Sequence, residues 1–243
     1  MSKALYKLGG LRFWNEREII LRNQFVDLCT LEVKQCLLDI NPAWSFVRCE
    51  TPAIIPDTEL GEAYTDDDVF YTNHNTGLGT LVMRPETTKG SYKTAQQSNI
   101  KLPLCVWQSG KSYRRETNDG ASASKLRFNE FYQLEYQCIY AENTKADYRG
   151  PLIESVSEQI KRTLGINTGG IRIVDSDRLP SYSSSTLDIE VCWRGKFKEV
   201  ASCSIRTDYP EAKVCEIAIG LDRIVEMIEA APCKPTREDK SDD

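Results

Sequence analysis

The chain has 243 residues, of which 40% are hydrophobic and 28% charged, and its net charge is −5. That length suits one large domain or two small ones with an ordinary globular composition. The acidic balance and the lack of any basic run argue against a general nucleic-acid coat, and no apolar run is long enough to cross a bilayer.

The first residues, MSKALYKLGGLRFW, carry no apolar core and no small-residue cleavage site of the secretory kind. Nine cysteines are scattered without a C-x-x-C pair, and His74 is the only histidine. That spacing argues against a structural zinc site and predicts buried thiols in a reducing cytoplasm. A Ser-His-Asp or Cys-His mechanism would have to use His74, which reads as part of a turn and lacks a third group to orient it.

Asn15 to Leu38 reads as a helix. Ile19, Ile20, Phe25, Leu28, Leu31, Val33 and Leu37 recur at three- and four-residue steps, and no Pro or Gly interrupts them. Asn41-Pro42 ends it, and Trp44 to Cys49 follows as a strand before Pro52-Ala53-Ile54-Ile55-Pro56. Val69-Phe70-Tyr71 and Thr80 to Met83 flank a turn at 74–79 and predict a hairpin. It delivers Arg84-Pro85-Glu86-Thr87-Thr88-Lys89-Gly90. A carboxylate at a strand end, beside a proline-fixed backbone, is a rigid acceptor for a small cation. The same residues also suit a turn with Thr87 capping a helix.

Leu102 to Gln108 is an apolar strand that ends at Gly110. It leads into Tyr113 to Glu135, YRRETNDGASASKLRFNEFYQLE, which reads as two strands joined by the polar loop Thr117 to Lys125. In an extended strand, Arg114 and Glu116 share a face. A guanidinium beside a carboxylate suits a ligand with both phosphate and donor groups. The alternative is a salt bridge on a solvated face, which contributes little.

Asp147 to Leu164 predicts a helix with Leu152, Ile153, Val156, Ile160 and Leu164 on one stripe, closed by Gly165 and Gly169-Gly170. Residues 171–174 form a short strand. Leu187 to Val191 and Phe197 to Cys203 flank the turn Arg194-Gly195-Lys196. Glu216 to Arg223 then opens a helix over Ile224 to Ala230. The tail, Pro232 to Asp243, is polar and charged and reads as disordered.

Three blocks in order, RPET at 84–87, RRE…RFNEF at 114–131 and GLDR at 220–223, resemble the class II aminoacyl-tRNA synthetases, and glycyl-tRNA synthetase most. The resemblance runs from about Asn15 to Ala230. It implies an α+β fold, an antiparallel sheet flanked by helices, filling a catalytic domain over 1–231 with the disordered tail at 232–243. It implies ATP and Mg²⁺ as cofactors. Arg114, Glu116, Arg127, Phe131, Glu199, Gly220 and Arg223 would then bind ATP, with Arg114, Glu116 and Arg223 catalytic and Glu199 on the metal. Arg84, Glu86, Gln133, Glu135, Glu216 and Ala218 would form the amino-acid pocket. The helix, strand and proline near the N-terminus resemble the family's dimer interface and imply a homodimer.

The implied activity is ATP-dependent activation of a small amino acid, glycine first, to an aminoacyl adenylate. The family pattern has Ala-Gln at Thr88-Lys89 and serine at Ala218, so a substrate other than glycine fits as well. The pattern also includes an anticodon-binding domain after the third block, which this sequence does not show. The loop Thr117 to Lys125 carries one basic residue. Both points favour a carrier protein, nucleobase or small molecule as acceptor. A minimal enzyme charging tRNA and a non-catalytic dimeric binding module are the alternatives. The expected location is the cytoplasm, with no membrane contact.

Overall fold

A computed structural model describes residues 11–229 apart from 62, 63, 78, 117–119, 178 and 180; of 73–76 and 123 it describes the backbone only. The tail at 232–243 and part of the loop at 117–125 lie outside the described residues.

Asn15 accepts a hydrogen bond from the Glu18 N–H while Glu18 accepts one from the Asn15 N–H. This capping box starts α1 (Glu16–Ile40). The chain continues through β1 (Ser45–Arg48), β2 (Ile54–Pro56), β3 (Phe70–Thr76), β4 (Gly79–Met83), α2 (Thr88–Gln97), β5 (Leu104–Tyr113) and β6 (Glu130–Ala141). Then come α3 (Arg149–Leu164), β7 (Ile171–Asp175), β8 (Ser183–Trp193), β9 (Lys196–Arg206), β10 (Ala212–Gly220) and α4 (Leu221–Glu229). Seven strands form one sheet in the order β1-β5-β6-β10-β9-β8-β7. Only the β1–β5 pair of that sheet is parallel. β2, β4 and β3 make a small separate sheet. No described helix is long and apolar enough to cross a membrane.

Alternation decides which face is which. Leu134, Tyr136 and Cys138 of β6, Cys215, Ile217 and Ile219 of β10, and Ala201 and Cys203 of β9 are buried in one cluster with Phe25 and Val33 of α1, Leu152 and Val156 of α3, and Ile224 of α4. Each large apolar side chain withdrawn from water there contributes about 1.5–3 kcal/mol. The intervening residues face the opposite way. At one end of that second face α2 covers it, with Tyr92 and Ala95 packed against Leu104, Val106, Ile139 and Val214. The other end is open.

β9 carries a bulge. Ile189 pairs with Ala201, and Glu190 pairs with Glu199, so Val200 has no partner on β8. Strict alternation would send Glu199 into the core with Ala201 and Cys203. The extra residue turns it onto the open face instead.

Several boundaries differ from the sequence reading. β10 runs to Gly220 and α4 starts at Leu221, so Arg223 lies in the first turn of the helix. β5 stops at Tyr113 and β6 starts at Glu130. Arg114 and Glu116 therefore follow the strand, and Leu126 turns with φ +56°. His74 belongs to β3 rather than to a turn. α2 does start after Thr87, but the Thr87 side chain makes no cap bond.

Candidate active site

The open end of the polar face is a cleft of about 320 Å³. That size suits a small-molecule site. Outwards it meets a wider mouth of about 840 Å³ that shares Arg114, Glu116, Arg127, Glu199 and Arg223 with it.

One wall comes from the residues after β5 and before β6. Arg114 donates from Nε to the Pro85 carbonyl at 3.0 Å and from Nη2 to Tyr64 Oη at 3.0 Å. Its guanidinium also lies 5.3 Å from the Phe131 ring centre. Nη1 makes no hydrogen bond among the described residues. Neighbouring Tyr64 and Glu86 hold the group charged against the cost of burial. Glu116 pairs with Arg127 at 3.4 Å, both partly exposed, so that pair contributes little to stability.

Arg223 stands on the facing wall. It donates from Nε to the Leu126 carbonyl at 3.1 Å and from Nη1 to the Glu199 carbonyl at 2.7 Å. The Glu199 carboxylate is 3.6 Å away. A Cβ at Gly220 would come within 3.4 Å of Arg223 Cδ and 3.7 Å of the Val200 carbonyl. The glycine thus makes room for the arginine stem.

The floor holds three acids: Glu86, Glu135 and Glu216. Glu135 accepts from Thr87 Oγ1 at 2.5 Å. Glu216 accepts from Gln137 Nε2 at 2.7 Å and Thr88 Oγ1 at 3.0 Å. Glu86 accepts from Tyr64 Oη at 2.9 Å. Burial and the neighbouring acids push the Glu135 carboxyl above its usual range, and burial first of all does the same for Glu86. Two cations act on them, Arg206 and Arg114. Arg206 bonds both Glu216 oxygens at 3.1–3.2 Å, reaches Asp208 at 2.7 Å and lies 3.9 Å from the Tyr182 ring centre. Three acids face two arginines, so when all are ionised one negative charge is left in excess, which suits a small organic cation.

Every site residue expected from the sequence lines this cleft except Arg84. Arg84 is buried and donates to the carbonyls of Lys111 at 2.8 Å, Thr51 at 2.6 Å and Pro52 at 3.2 Å. It ties residues of the two sheets together and does not line the cleft. Tyr64, Tyr182, Ser202, Ser204 and Asp188 line the cleft but were not read from the sequence. Tyr64 and Tyr182 lie outside any helix or strand, where periodicity carries no signal.

Among the described residues no group of three or more His, Cys, Asp or Glu could hold a metal ion by itself. Mg²⁺ does not need one, since it keeps its waters and takes one or two carboxylates beside substrate phosphates. Glu199, half-exposed at the cleft edge, fits that role. The eight described cysteines are all free.

The tRNA synthetase class II core domain (G, H, P, S and T) matches residues 71–231. The chain belongs to the class II tRNA synthetase core family. Its relatives include the glycine–tRNA ligases of Mycoplasmopsis synoviae (strain 53), 34% identical over 115 residues, and of Staphylococcus haemolyticus (strain JCSC1435), 32% identical over 142 residues. Those matches cover 45% and 56% of this chain, and 25% and 30% of the relatives. The chain thus spans less than a third of the curated relatives it matches. Among solved structures, the prolyl-tRNA synthetase of Giardia lamblia, in complex with prolyl-adenylate, aligns over 92% of this chain and 49% of its own, with TM-score 0.68 and 15% identity. That of Cryptosporidium parvum, complexed with halofuginone and AMPPNP, aligns over 91% and 48%, with TM-score 0.71 and 14% identity. At that identity the likeness shows the class II synthetase fold: a large, mostly antiparallel sheet with helices against it.

Proposed function

We propose that this class II core activates a small amino acid, glycine first, with ATP to give an aminoacyl adenylate and pyrophosphate. One observation carries the reading: Arg114 and Arg223, 109 positions apart by numbering, line the same cleft as the buried Glu135 and Glu216 and the partly buried Glu86. The amino-acid carboxylate attacks the α-phosphorus, and pyrophosphate leaves. No protein nucleophile is required. Arg114, with Nη1 left for a ligand, stabilises charge growing at the α-phosphate, and Arg223 holds the outer phosphates. Mg²⁺ would neutralise the phosphates from Glu199. Glu86, Glu135 and Glu216 hold the α-ammonium. Burial strengthens that attraction by thinning the water around it.

Glycine as first choice is supported by the glycine–tRNA ligase relatives. An acceptor other than tRNA is supported by the loop at 117–125, where Lys125 is the one basic residue. The names of those same relatives favour tRNA, which stands as the second reading. A homodimer through α1 is supported by its exposed Ile20, Leu28 and Leu31.

Amino-acid-dependent exchange of labelled pyrophosphate into ATP tests activation. The reading predicts exchange with glycine; silence with every amino acid sinks it. Aminoacylation of total tRNA by an exchange-active preparation would replace the first acceptor reading with the second.

A further inference from the structure

The cleft floor is a grid of opposed side chains. Glu135 stands opposite Ala218, Ala218 opposite Ser202, and Ser202 opposite Asp188. Directly opposed residues of antiparallel strands project from one face with Cβ atoms about 4.5–5.5 Å apart. One row towards the buried acids, Glu216 stands opposite Ser204, and Ser204 opposite Thr186. One row the other way lies Gly220, beside Arg223. The Ala218–Ser202 row therefore lies between Glu216 and Gly220, with the acid Glu135 at one end of it and Asp188 at the other.

The inner row is satisfied internally. Ser204 Oγ lies 2.9 Å from Thr186 Oγ1, and Glu216 has Gln137, Thr88 and Arg206. Ser202 differs, because its hydroxyl makes no hydrogen bond among the described residues. Ala218 beside it offers only a methyl group. Asp188 on its other side is buried and hydrogen-bonded to the Ser176 side chain, and burial pushes its carboxyl up to about 6.

We propose that Ser202 sets which side chain the amino acid can carry, and that the site takes a hydroxymethyl side chain ahead of a methyl one. The proposal rests on the activation reading above and names its substrate class. Glycine leaves the middle row to water. A methyl side chain would displace that water, leave the Ser202 hydroxyl without a partner and leave Asp188 with Ser176 alone, which costs more than its small size returns. A hydroxymethyl accepts from Ser202 and donates to Asp188. Serine therefore ranks above alanine, although serine is larger.

The test is pyrophosphate exchange with glycine, serine and alanine by the wild type, Ser202→Ala and Ser202→Thr, with circular dichroism as a fold check. In the wild type serine exceeds alanine. In Ser202→Ala the serine-to-alanine ratio of kcat/KM falls about tenfold or more, the scale of one lost substrate hydrogen bond, while the KM for ATP stays put. Ser202→Thr keeps the hydroxyl and keeps serine ahead. Should Ser202→Ala fold poorly, Ser202→Cys, a weak hydrogen-bonding near-isostere, gives the same fall. A wild type that prefers alanine, or a ratio unmoved by these variants, overturns the role of Ser202 alone. No exchange with any amino acid overturns the activation reading and this proposal together.

Discussion

Thr88 reaches Glu216 across 128 positions of sequence: its hydroxyl lies 3.0 Å from Glu216 Oε2 and 3.2 Å from Glu135 Oε2. One hydroxyl proton serves two buried carboxylates in turn. The contact holds the acids close without an added charge, which on the activation reading keeps the pocket negative for the substrate ammonium. Removing it leaves two lone pairs to repel one another at short range. Thr88→Ala should raise the KM for the amino acid about tenfold, a loss near 1.4 kcal/mol, with the KM for ATP unchanged. Thr88→Ser should retain wild-type values. Steady-state exchange kinetics check both; a rise in the ATP KM of Thr88→Ala would contradict the assignment.

Arg84 should behave as a structural clamp. Its guanidinium donates to three backbone carbonyls, those of Lys111, Thr51 and Pro52. Gly110 leaves the space it needs, since a Cβ there would come within 2.5 Å of Arg84 Nη2. Arg84→Ala should cost about 3 kcal/mol of stability, and Arg84→Lys most of that, because an ammonium cannot reproduce the planar fork. Urea unfolding gives the values. Any residual folded enzyme should keep its amino-acid KM, whereas a selective rise in that KM would return Arg84 to the pocket.

Asp222 should make stability fall with rising pH. Burial pushes its carboxyl from the usual 3.8 up to about 7, against the opposing effects of the Tyr132 N–H and Arg12. Its Oδ2 accepts from Tyr132 N at 2.6 Å, while Oδ1 is buried without a partner among the described residues. Between about pH 4 and pH 7 the folded chain keeps a proton that the unfolded chain has released. The stabilisation is therefore full below pH 4 and is lost as pH rises through 7. Glu135 has the same sign. Denaturation at pH 5 and pH 8 should show a smaller difference for Asp222→Asn than for the wild type. An equal difference would remove Asp222 as the cause.

Arg114 and Arg223 should matter to rate more than to affinity. On the activation reading each faces the phosphates, so Arg114→Ala should lower kcat for exchange about 10²–10³-fold. Arg223→Ala frees the Leu126 and Glu199 carbonyls as well. It should lower kcat and also shift the melting temperature. Exchange rates at saturating ATP distinguish these outcomes from simple loss of binding.

Much of this fold was legible because its signals are local. The α1 stripe, the β6 alternation and the three motif blocks sit in short windows of sequence. α2 was weaker, because TKGSYKTAQQ buries only Thr88, Ser91, Tyr92 and Ala95 and shows little apolar period. The bulge at Val200 left no mark, since FKEVAS contains no glycine or proline; only pairing with β8 reveals it. Arg84 and Arg114 look alike in sequence. What separates them is long-range: Thr51, Pro52 and Lys111 enclose the first, and the second opens on the cleft. The Ala218–Ser202 opposition is likewise a matter of strand register, which no single segment encodes.

The most direct test of one shared cleft is the crystal structure of the protein with a non-hydrolysable glycyl-adenylate analogue. The predicted result puts the ammonium among Glu86, Glu135 and Glu216, the phosphate surrogate on Arg114, and the nucleotide against the Arg223 wall. An analogue bound elsewhere, or bound with its ammonium away from those three acids, would contradict the account.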